Sequence, residues 1–342
     1  MHQVNRRIRY IAASIPVAAA LAVQPLHAQE SYPEKPVRLI VPFPPGGQTD
    51  NVARHLGVAL TSIMKQQVVI DNRGGAAGTI GSAEVARAKP DGYTLLIATS
   101  STHAINPIAL PNVQYDPLKD FTQIAVLGTG PIAISVHPIV PARTLQQLVS
   151  EVKARPGYYS YASSGIASIN HLAGELFKMR AGNVKILHVP YRGAGPSMQD
   201  LIGGQIEMVC STLSAALPHH RNGRVRTLAI LKEGRSVGAP DIPTAIESGV
   251  PGAVAYTFNI LMSPANTPRN VVDAVSGAVA RAMSDRAFVD TLVRIGVDPV
   301  TDSKPETAAA MVRNELAKWK PVVQAVGLAS DSPVRATAQR RN

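Results

Sequence analysis

The sequence predicts an α/β protein of two lobes, in which mostly parallel sheets are flanked by helices. Short apolar runs of strand length alternate with segments whose apolar residues recur at helical spacing, from Val37 almost to the end of the chain. That alternation is typical of parallel sheets with helices on both faces. The chain has 342 residues, which is more than one ordinary domain needs and suits two lobes.

Residues 1–28 are expected to be a secretory signal peptide that is cleaved near Ala28. A basic start with three arginines precedes an apolar run, Ile11–Val23, which is too short to span a bilayer comfortably. A retained N-terminal anchor is the alternative. At the other end, residues 329–342 are polar and poor in core residues, so they are expected to be a disordered tail.

The charge balance favours an anionic partner. The formal net charge of +11 falls to +8 without the three arginines of residues 1–28, and the tail accounts for a further +2 of the remainder. The folded part is therefore basic, which favours small anions or an anionic membrane surface. Nucleic acid is not expected as a partner, because the chain has no basic helix or stripe of aromatic residues.

The first predicted strand, Val37–Val41, leads through a loop rich in proline and glycine to a helix predicted at Asp50–Met64. The two glycines of the loop allow successive N–H groups to point into one hollow, and Thr49 or Asp50 can cap the helix. A strand, a glycine turn and a helix N-terminus together favour an anion. A tight turn without a ligand is the alternative. The candidate binding residues here are Phe43, Pro45, Gly46, Gly47, Thr49 and Asp50.

Two more strands of the first lobe are predicted at Gln67–Ile70 and Tyr93–Ala98, with a helix at Thr79–Ala88 between them. The third strand ends in a cluster of hydroxyl residues that includes Ser100 and Ser101. Ligands gather beyond the carboxyl ends of parallel strands, so both serines are candidate binding residues. Capping of the next turn is the alternative role.

A crossing between the lobes is expected where two apolar strands, Phe121–Leu127 and Ile132–Val136, are separated by Gly128–Pro131. A second alternating set follows, in which the turn Ser163–Ser168 repeats the arrangement of the first loop. Its predicted elements are Leu145–Ala154, Tyr159–Ala162, Ile169–Met179, Val184–Val189, Pro196–Ile202, Ile206–Cys210, Leu213–His220 and Thr227–Leu231. The candidate binding residues of this lobe are Ser163, Ser164, Gly165, Ser168, Tyr191 and Ser211.

The last elements are expected to return to the first lobe. A strand at Val254–Met262 is followed by helices at Arg269–Met283 and Arg286–Ile295, a short strand, and a final helix at Glu306–Val326.

These motifs make the chain resemble the Bug family, the substrate-binding proteins of tripartite tricarboxylate transporters. The stretches that carry the resemblance include Val41–Gly47, Pro90–Leu96, Ala104–Pro107, Ser163–Gly165, His171–Phe177 and His188–Gly193. The resemblance implies a periplasmic binding protein of type II, or Venus flytrap, with a first lobe at 32–128 plus 252–328 and a second at 129–251. It implies a small carboxylate ligand and, as partners, the membrane components of such a transporter. A signalling receptor that presents its closed form to a sensor ectodomain is a further alternative, and no cofactor is expected.

Several positions depart from the pattern of that family. Gln48 stands where a third glycine is common, Ala167 replaces a frequent glycine, and Ser211-Thr212 and Phe258-Asn259 stand where Asp-Asn and two aromatic residues are common. These departures affect the expected ligand rather than the fold. Because Ser211 is neutral, we expect that the ligand carries no ammonium group.

A hydrolase of small esters or amides is the alternative function, since serine, histidine and aspartate are all present. The chain contains no Gly-x-Ser-x-Gly elbow, and His171 falls inside a predicted helix, where a structural role is expected. No metal site is expected, because His219 and His220 are adjacent and point to different faces of a helix.

Overall fold

The computed structural model describes His2 and residues 32–328, in which ten strands form one sheet that divides into two parts. Apart from His2, the predicted signal peptide and the predicted tail lie outside the described residues. The strands are β1 (Val37–Val41), β2 (Val68–Asn72), β3 (Thr94–Thr99), β4 (Phe121–Val136), β5 (Ser160–Ser163), β6 (Leu187–Pro190), β7 (Met208–Thr212), β8 (Arg226–Ile230), β9 (Tyr256–Pro264) and β10 (Asp298–Pro299). The helices are α1 (Gln48–Met64), α2 (Thr79–Ala86), α3 (Asn106–Ala109), α4 (Leu145–Ala154), α5 (Ile169–Arg180), α6 (Ala194–Ile202), α7 (Leu213–Arg221), α8 (Arg269–Ser284), α9 (Arg286–Arg294) and α10 (Pro305–Ala325).

The first part of the sheet has the strand order β2-β1-β3-β9-β4. Strand β1 runs parallel to β2 and β3, with Leu39 opposite both Ile70 and Leu95. One face is covered by α1 and α8, whose apolar residues, such as Leu56 and Val275, belong to the same buried cluster. The carboxyl ends of the three parallel strands therefore lie at one edge, where the loop after β1 opens.

The second part of the sheet has the order β4-β7-β5-β6, and β8 also pairs with β4. Strand β5 runs parallel to β6 and β7. The helix that follows β5, α5, packs into the largest core cluster of the described residues through side chains such as Leu172 and Phe177. The α/β class predicted from the alternation of elements is confirmed.

The sheet is mixed rather than mostly parallel, because two long strands in its middle run antiparallel to their neighbours. Strand β4 pairs with β9 from Phe121 to Pro131 and then with β7 from Ile132 to Val136. The prediction of two separate strands here was wrong: β4 continues through Gly128–Pro131. Gly128 and Gly130 both lie close to other parts of the chain. A Cβ on Gly128 would lie 2.8 Å from the carbonyl oxygen of Asp298, and a Cβ on Gly130 would overlap the side chain of Gln48.

In the described residues, no helix is long and apolar enough to cross a membrane.

Candidate ligand-binding site

The first turns of three helices and the residue before a fourth line one cleft between the two parts of the sheet. They are the N-terminal residues of α1, α5 and α6, together with Thr212, which precedes α7. The cleft has a volume of about 760 Å³ including its open mouth. Concave clefts lined by a few convergent polar groups are where proteins bind small molecules.

Helix α1 presents an open N-terminus to the cleft. Its N-cap is Gly47, which has an extended backbone (φ −82°, ψ 172°) and makes no side-chain cap. The prediction that Thr49 or Asp50 caps this helix was wrong, because the helix begins at Gln48, ahead of both residues. The first amides of a helix have no partner within it, and they lie at the positive end of its dipole. This end of the cleft is therefore suited to an anion.

Asp50 contributes a buried carboxylate that is already paired. It is 3 % exposed, and Oδ2 accepts hydrogen bonds from the Gly46 amide and from Arg54 Nε, both at 2.9 Å. Asn72 Nδ2 donates to Oδ1 at 3.0 Å. Burial by itself raises the pKa of Asp50, but these hydrogen bonds outweigh it and hold the pKa below its ordinary value. Asp50 therefore fixes the loop, and the Gly46 amide serves Asp50 rather than a ligand.

Helix α6 gives the cleft a second open N-terminus, which the sequence analysis missed. Its N-cap, Gly193, has φ 125°, a backbone conformation that favours glycine, and makes no side-chain cap. Arg192 precedes it, is exposed, lines the cleft, and makes no ion pair or side-chain hydrogen bond with the described residues. The signal that could have found this end is the sequence Arg192-Gly193-Ala194-Gly195, a glycine turn before a helix like that at Gly46-Gly47.

The loop before α5 is satisfied by its own side chains. Ser168 Oγ accepts from the His171 amide at 3.2 Å and donates to the Gly165 carbonyl at 2.6 Å. Ser163 Oγ is bonded to His188 Nε2 at 2.7 Å. The amide of Ile169 donates to Ser101 Oγ at 3.0 Å, a contact between the two parts of the sheet. This loop therefore offers fewer free donors than the loop before α1.

A chain of four polar side chains joins the two parts of the molecule at the cleft. Thr212 Oγ1 lies 3.0 Å from Ser214 Oγ, which donates to Gln48 Oε1 at 3.2 Å. Gln48 Nε2 in turn donates to Asn259 Oδ1 at 3.0 Å. The carboxamide of Gln48 lies against Gly130, where a Cβ would come within 1.9 Å of Oε1. Three of the four departures from the family pattern thus meet in one network.

The structure brings half of the predicted binding residues to the cleft wall. Those that line it are Phe43, Pro45, Gly47, Thr49, Asp50, Ser101 and Ser164. Those that do not are Gly46, Ser100, Ser163, Gly165, Ser168, Tyr191 and Ser211. Lining residues that were not among the predicted binding residues are Pro44, Gln48, Thr99, Ile169, Asn170, Arg192, Gly193, Ala194, Gly195, Pro196, Thr212 and Thr257.

Predicted binding residues that do not line the cleft are either hydrogen-bonded elsewhere or buried. Ser100 Oγ accepts from the Phe258 amide at 3.1 Å, and the Tyr191 hydroxyl donates to Asp200 at 2.7 Å. Ser211 is fully buried, since consecutive residues of a strand face opposite sides and its neighbour Thr212 faces the cleft. Thr212, and not Ser211 as predicted, is therefore the residue of this pair that a ligand would meet.

A two-part sheet with a cleft lined by helix N-termini is the architecture of a periplasmic solute-binding protein. The chain matches the family described as "Tripartite tricarboxylate transporter family receptor" over residues 52–328, and it belongs to this family. The resemblance drawn from the sequence motifs is confirmed.

Proteins from two organisms illustrate the relationship. Protein BugT of Bordetella pertussis is 35% identical over 312 residues, which cover 91% of this chain and 95% of BugT. Among solved structures, a Rhodopseudomonas palustris protein with adipate is 34% identical with a TM-score of 0.83, covering 87% of this chain and 99% of that one. MatC from Rhodopseudomonas palustris with bound malate is 31% identical with a TM-score of 0.80, covering 85% and 100%.

Proposed function

We propose that this protein captures a small organic acid by its carboxylate in the cleft and releases it unchanged. The observation that carries the proposal is the imbalance of charge in the cleft. Two uncapped helix N-termini and the exposed Arg192 face it, whereas the one carboxylate among the described lining residues, Asp50, is already paired. Such a surface favours an anion over a cation or a neutral solute. Relatives whose structures hold adipate and malate support the carboxylate.

Closure of the two lobes on the ligand follows from this proposal. We infer lobes at 32–128 plus 252–328 and at 129–251, joined by strand β4 and by the segment that leads into β9, and hinge motion at these connections would open the cleft. The membrane components of a tripartite transporter or a sensor ectodomain are the proposed partners, and the family description supports the former. Export to the periplasm with cleavage near Ala28 stays a prediction.

The hydrolase alternative has one suggestive contact, the bond between Ser163 Oγ and His188 Nε2. Ser163 is fully buried and does not line the cleft, so a substrate has no access to its hydroxyl. Burial lowers the pKa of His188 to about 3, which makes it a poor general base. The contact is better explained as a structural tie between β5 and β6.

Native mass spectrometry of freshly purified protein, followed by calorimetry with adipate and malate, tests the proposal. We expect one acid per chain and no measurable binding of the corresponding neutral diamides. If a diamide bound as tightly as its acid, the charge of the cleft would not select the ligand and the proposal would be wrong. Prolonged incubation with simple esters and amides of the same acids is expected to leave them intact.

A further inference from the structure

A cleft suited to an anion also presents two hydrogen-bond acceptors. The first is Asn170, in the first turn of α5, which lines the cleft and is 3 % exposed. Its Nδ2 donates to Ser164 Oγ at 3.0 Å, but its Oδ1 is buried and has no partner within the described residues. A buried acceptor without a partner is unfavourable, so a ligand donor that reaches this atom would gain a hydrogen bond that the protein itself leaves unmade.

The second acceptor is Thr212, because its proton is used inside the polar network. Ser214 has one hydroxyl proton, and it donates this proton to Gln48 Oε1. Thr212 must therefore be the donor in its 3.0 Å contact with Ser214. The lone pairs of Thr212 Oγ1 are then what it can offer to the cleft that it lines.

The orientation of the Gln48 carboxamide fixes the direction in which Thr212 and Ser214 donate their hydrogen bonds. Its Nε2 donates to Asn259 Oδ1, which turns Oε1 toward Ser214. The carboxamide is pressed against Gly130 and is 4 % exposed, so it has little room to rotate. The network thus holds Thr212 as an acceptor.

The donor that these acceptors need is neutral. An ammonium group would lose its hydration on entering the cleft and would find no free carboxylate, because Asp50 is paired with Arg54. Arg192 on the same wall would repel it. A hydroxyl can donate a hydrogen bond without either penalty.

We propose that the ligand is a hydroxylated carboxylic acid whose hydroxyl donates to Thr212 Oγ1 or Asn170 Oδ1. This inference rests on the proposed function, since the carboxylate of the same ligand must occupy the anion-binding end of the cleft. Because both acceptors are fixed in place, we also expect a preference between the two enantiomers of a chiral hydroxy acid.

Calorimetry with matched pairs of acids tests the inference on the full mature chain. The pairs are succinate and malate, glutarate and 2-hydroxyglutarate, and adipate and 3-hydroxyadipate, with aspartate added as the amine counterpart of malate. In at least one pair the hydroxy acid should bind about tenfold more tightly or better. If every acid without a hydroxyl bound as tightly as its partner, or if aspartate bound more tightly than malate, the inference would be wrong while the proposed function stood. If none of the acids bound, both would be wrong.

Two variants locate the acceptor. In Thr212→Val or in Asn170→Leu, the ratio of affinities within the preferred pair should fall to about threefold or less. Thr212→Ser keeps the hydroxyl and should keep the ratio. Thermal unfolding would show that each variant is folded. A ratio unchanged in both variants would overturn the inference, because the hydroxyl would then be recognised elsewhere.

Discussion

The loops before α1 and α5 have the same local plan, a strand followed by a turn and a helix, but they differ in how their polar groups are satisfied. In the first, the N-cap is Gly47 and no side chain covers the helix terminus. In the second, Ser168 caps the helix and Ser163 is tied to His188. Apart from the Gly46 amide, which donates to Asp50, the first loop therefore leaves its amides for a ligand, whereas the second is largely complete without one.

This difference shows why small polar residues are a poorer sign of a binding loop than glycine. A serine side chain reaches the nearest amide and caps it, so it competes with any incoming anion. A glycine has no side chain that could bind the amides in place of the anion. Helix α6 resembles α1 in this respect, because its N-cap is Gly193. Substitutions in these loops can test the contrast.

The largest effect is expected from Gly47→Val. A Cβ at Gly47 meets no atom within 4 Å, and the backbone there is extended, so the fold should persist while the side chain enters the cleft. Affinity for the bound acid should fall at least tenfold, about 1.4 kcal/mol. Gly234→Val is a matched control, because Gly234 also has open space around its Cβ position but does not line the cleft. Equal affinities in the two variants would contradict the assignment of α1.

Arg192→Gln should weaken binding of a dicarboxylate by about fivefold, because an exposed cation contributes modestly in water. Raising the salt concentration should weaken binding to the native protein more than to the variant. Arg143→Gln removes another exposed arginine that does not line the cleft, and it should leave affinity as it was. The same salt dependence in both variants would show that Arg192 does not face the ligand.

Ser168→Ala should lower the free energy of unfolding by about 1 kcal/mol, since it removes the N-cap of α5. Affinity should change by less than about twofold, because Ser168 does not line the cleft. Urea unfolding and calorimetry measure the two quantities. Thr144→Ala removes a comparable cap from α4 and is the matched control. A large loss of affinity confined to Ser168→Ala would mean that the second loop binds the ligand as the first does.

The smallest effect expected is a loss of stability as the pH falls. Burial is the main cause that lowers the pKa of His171 from 6.5 to about 4, so the unfolded chain takes up a proton first as the pH falls. The stability held above pH 6.5 is then lost toward pH 4. Between pH 7 and pH 6, His171 should account for a loss on the order of 0.5 kcal/mol in the free energy of unfolding.

The variant His171→Asn keeps an acceptor for the Ala167 amide, which now donates to Nδ1. Its unfolding free energy, measured in urea at both pH values, should fall less than that of the native protein. An equal fall would mean that other buried histidines, such as His103 and His188, account for the acid sensitivity.

The order of strands and helices could be predicted because apolar periodicity is a local property of the sequence. The bounds of α4, Leu145–Ala154, agree with the prediction residue for residue. The continuity of β4 could not be predicted in this way. Gly128 and Pro131 resemble a turn locally, and it is pairing with the distant strand β9 that keeps the chain extended there.

The candidate site could be predicted in part where the backbone itself is the signal, as at Gly47, which lines the cleft, although its neighbour Gly46 does not. It could not be predicted where two distant segments must meet. Gln48 and Asn259 are 211 positions apart, and the sequence around neither residue indicates that they form a hydrogen bond. Ser211 and Thr212 illustrate a second limit, because a shift of one residue at the end of a strand exchanges the buried face for the cleft face.

The contact between Gln48 and Gly130 has a consequence for how the sequence can drift. A Cβ at position 130 would overlap the Gln48 carboxamide, so a larger residue there requires Gln48 to leave its hydrogen bonds or to be replaced by a smaller residue. The two positions should therefore show epistasis that depends on the order of substitution. Gly130→Ala should lower the free energy of unfolding more in the native chain than in a Gln48→Gly background, while Gln48→Gly alone should also be destabilising because it leaves Ser214 and Asn259 without a partner.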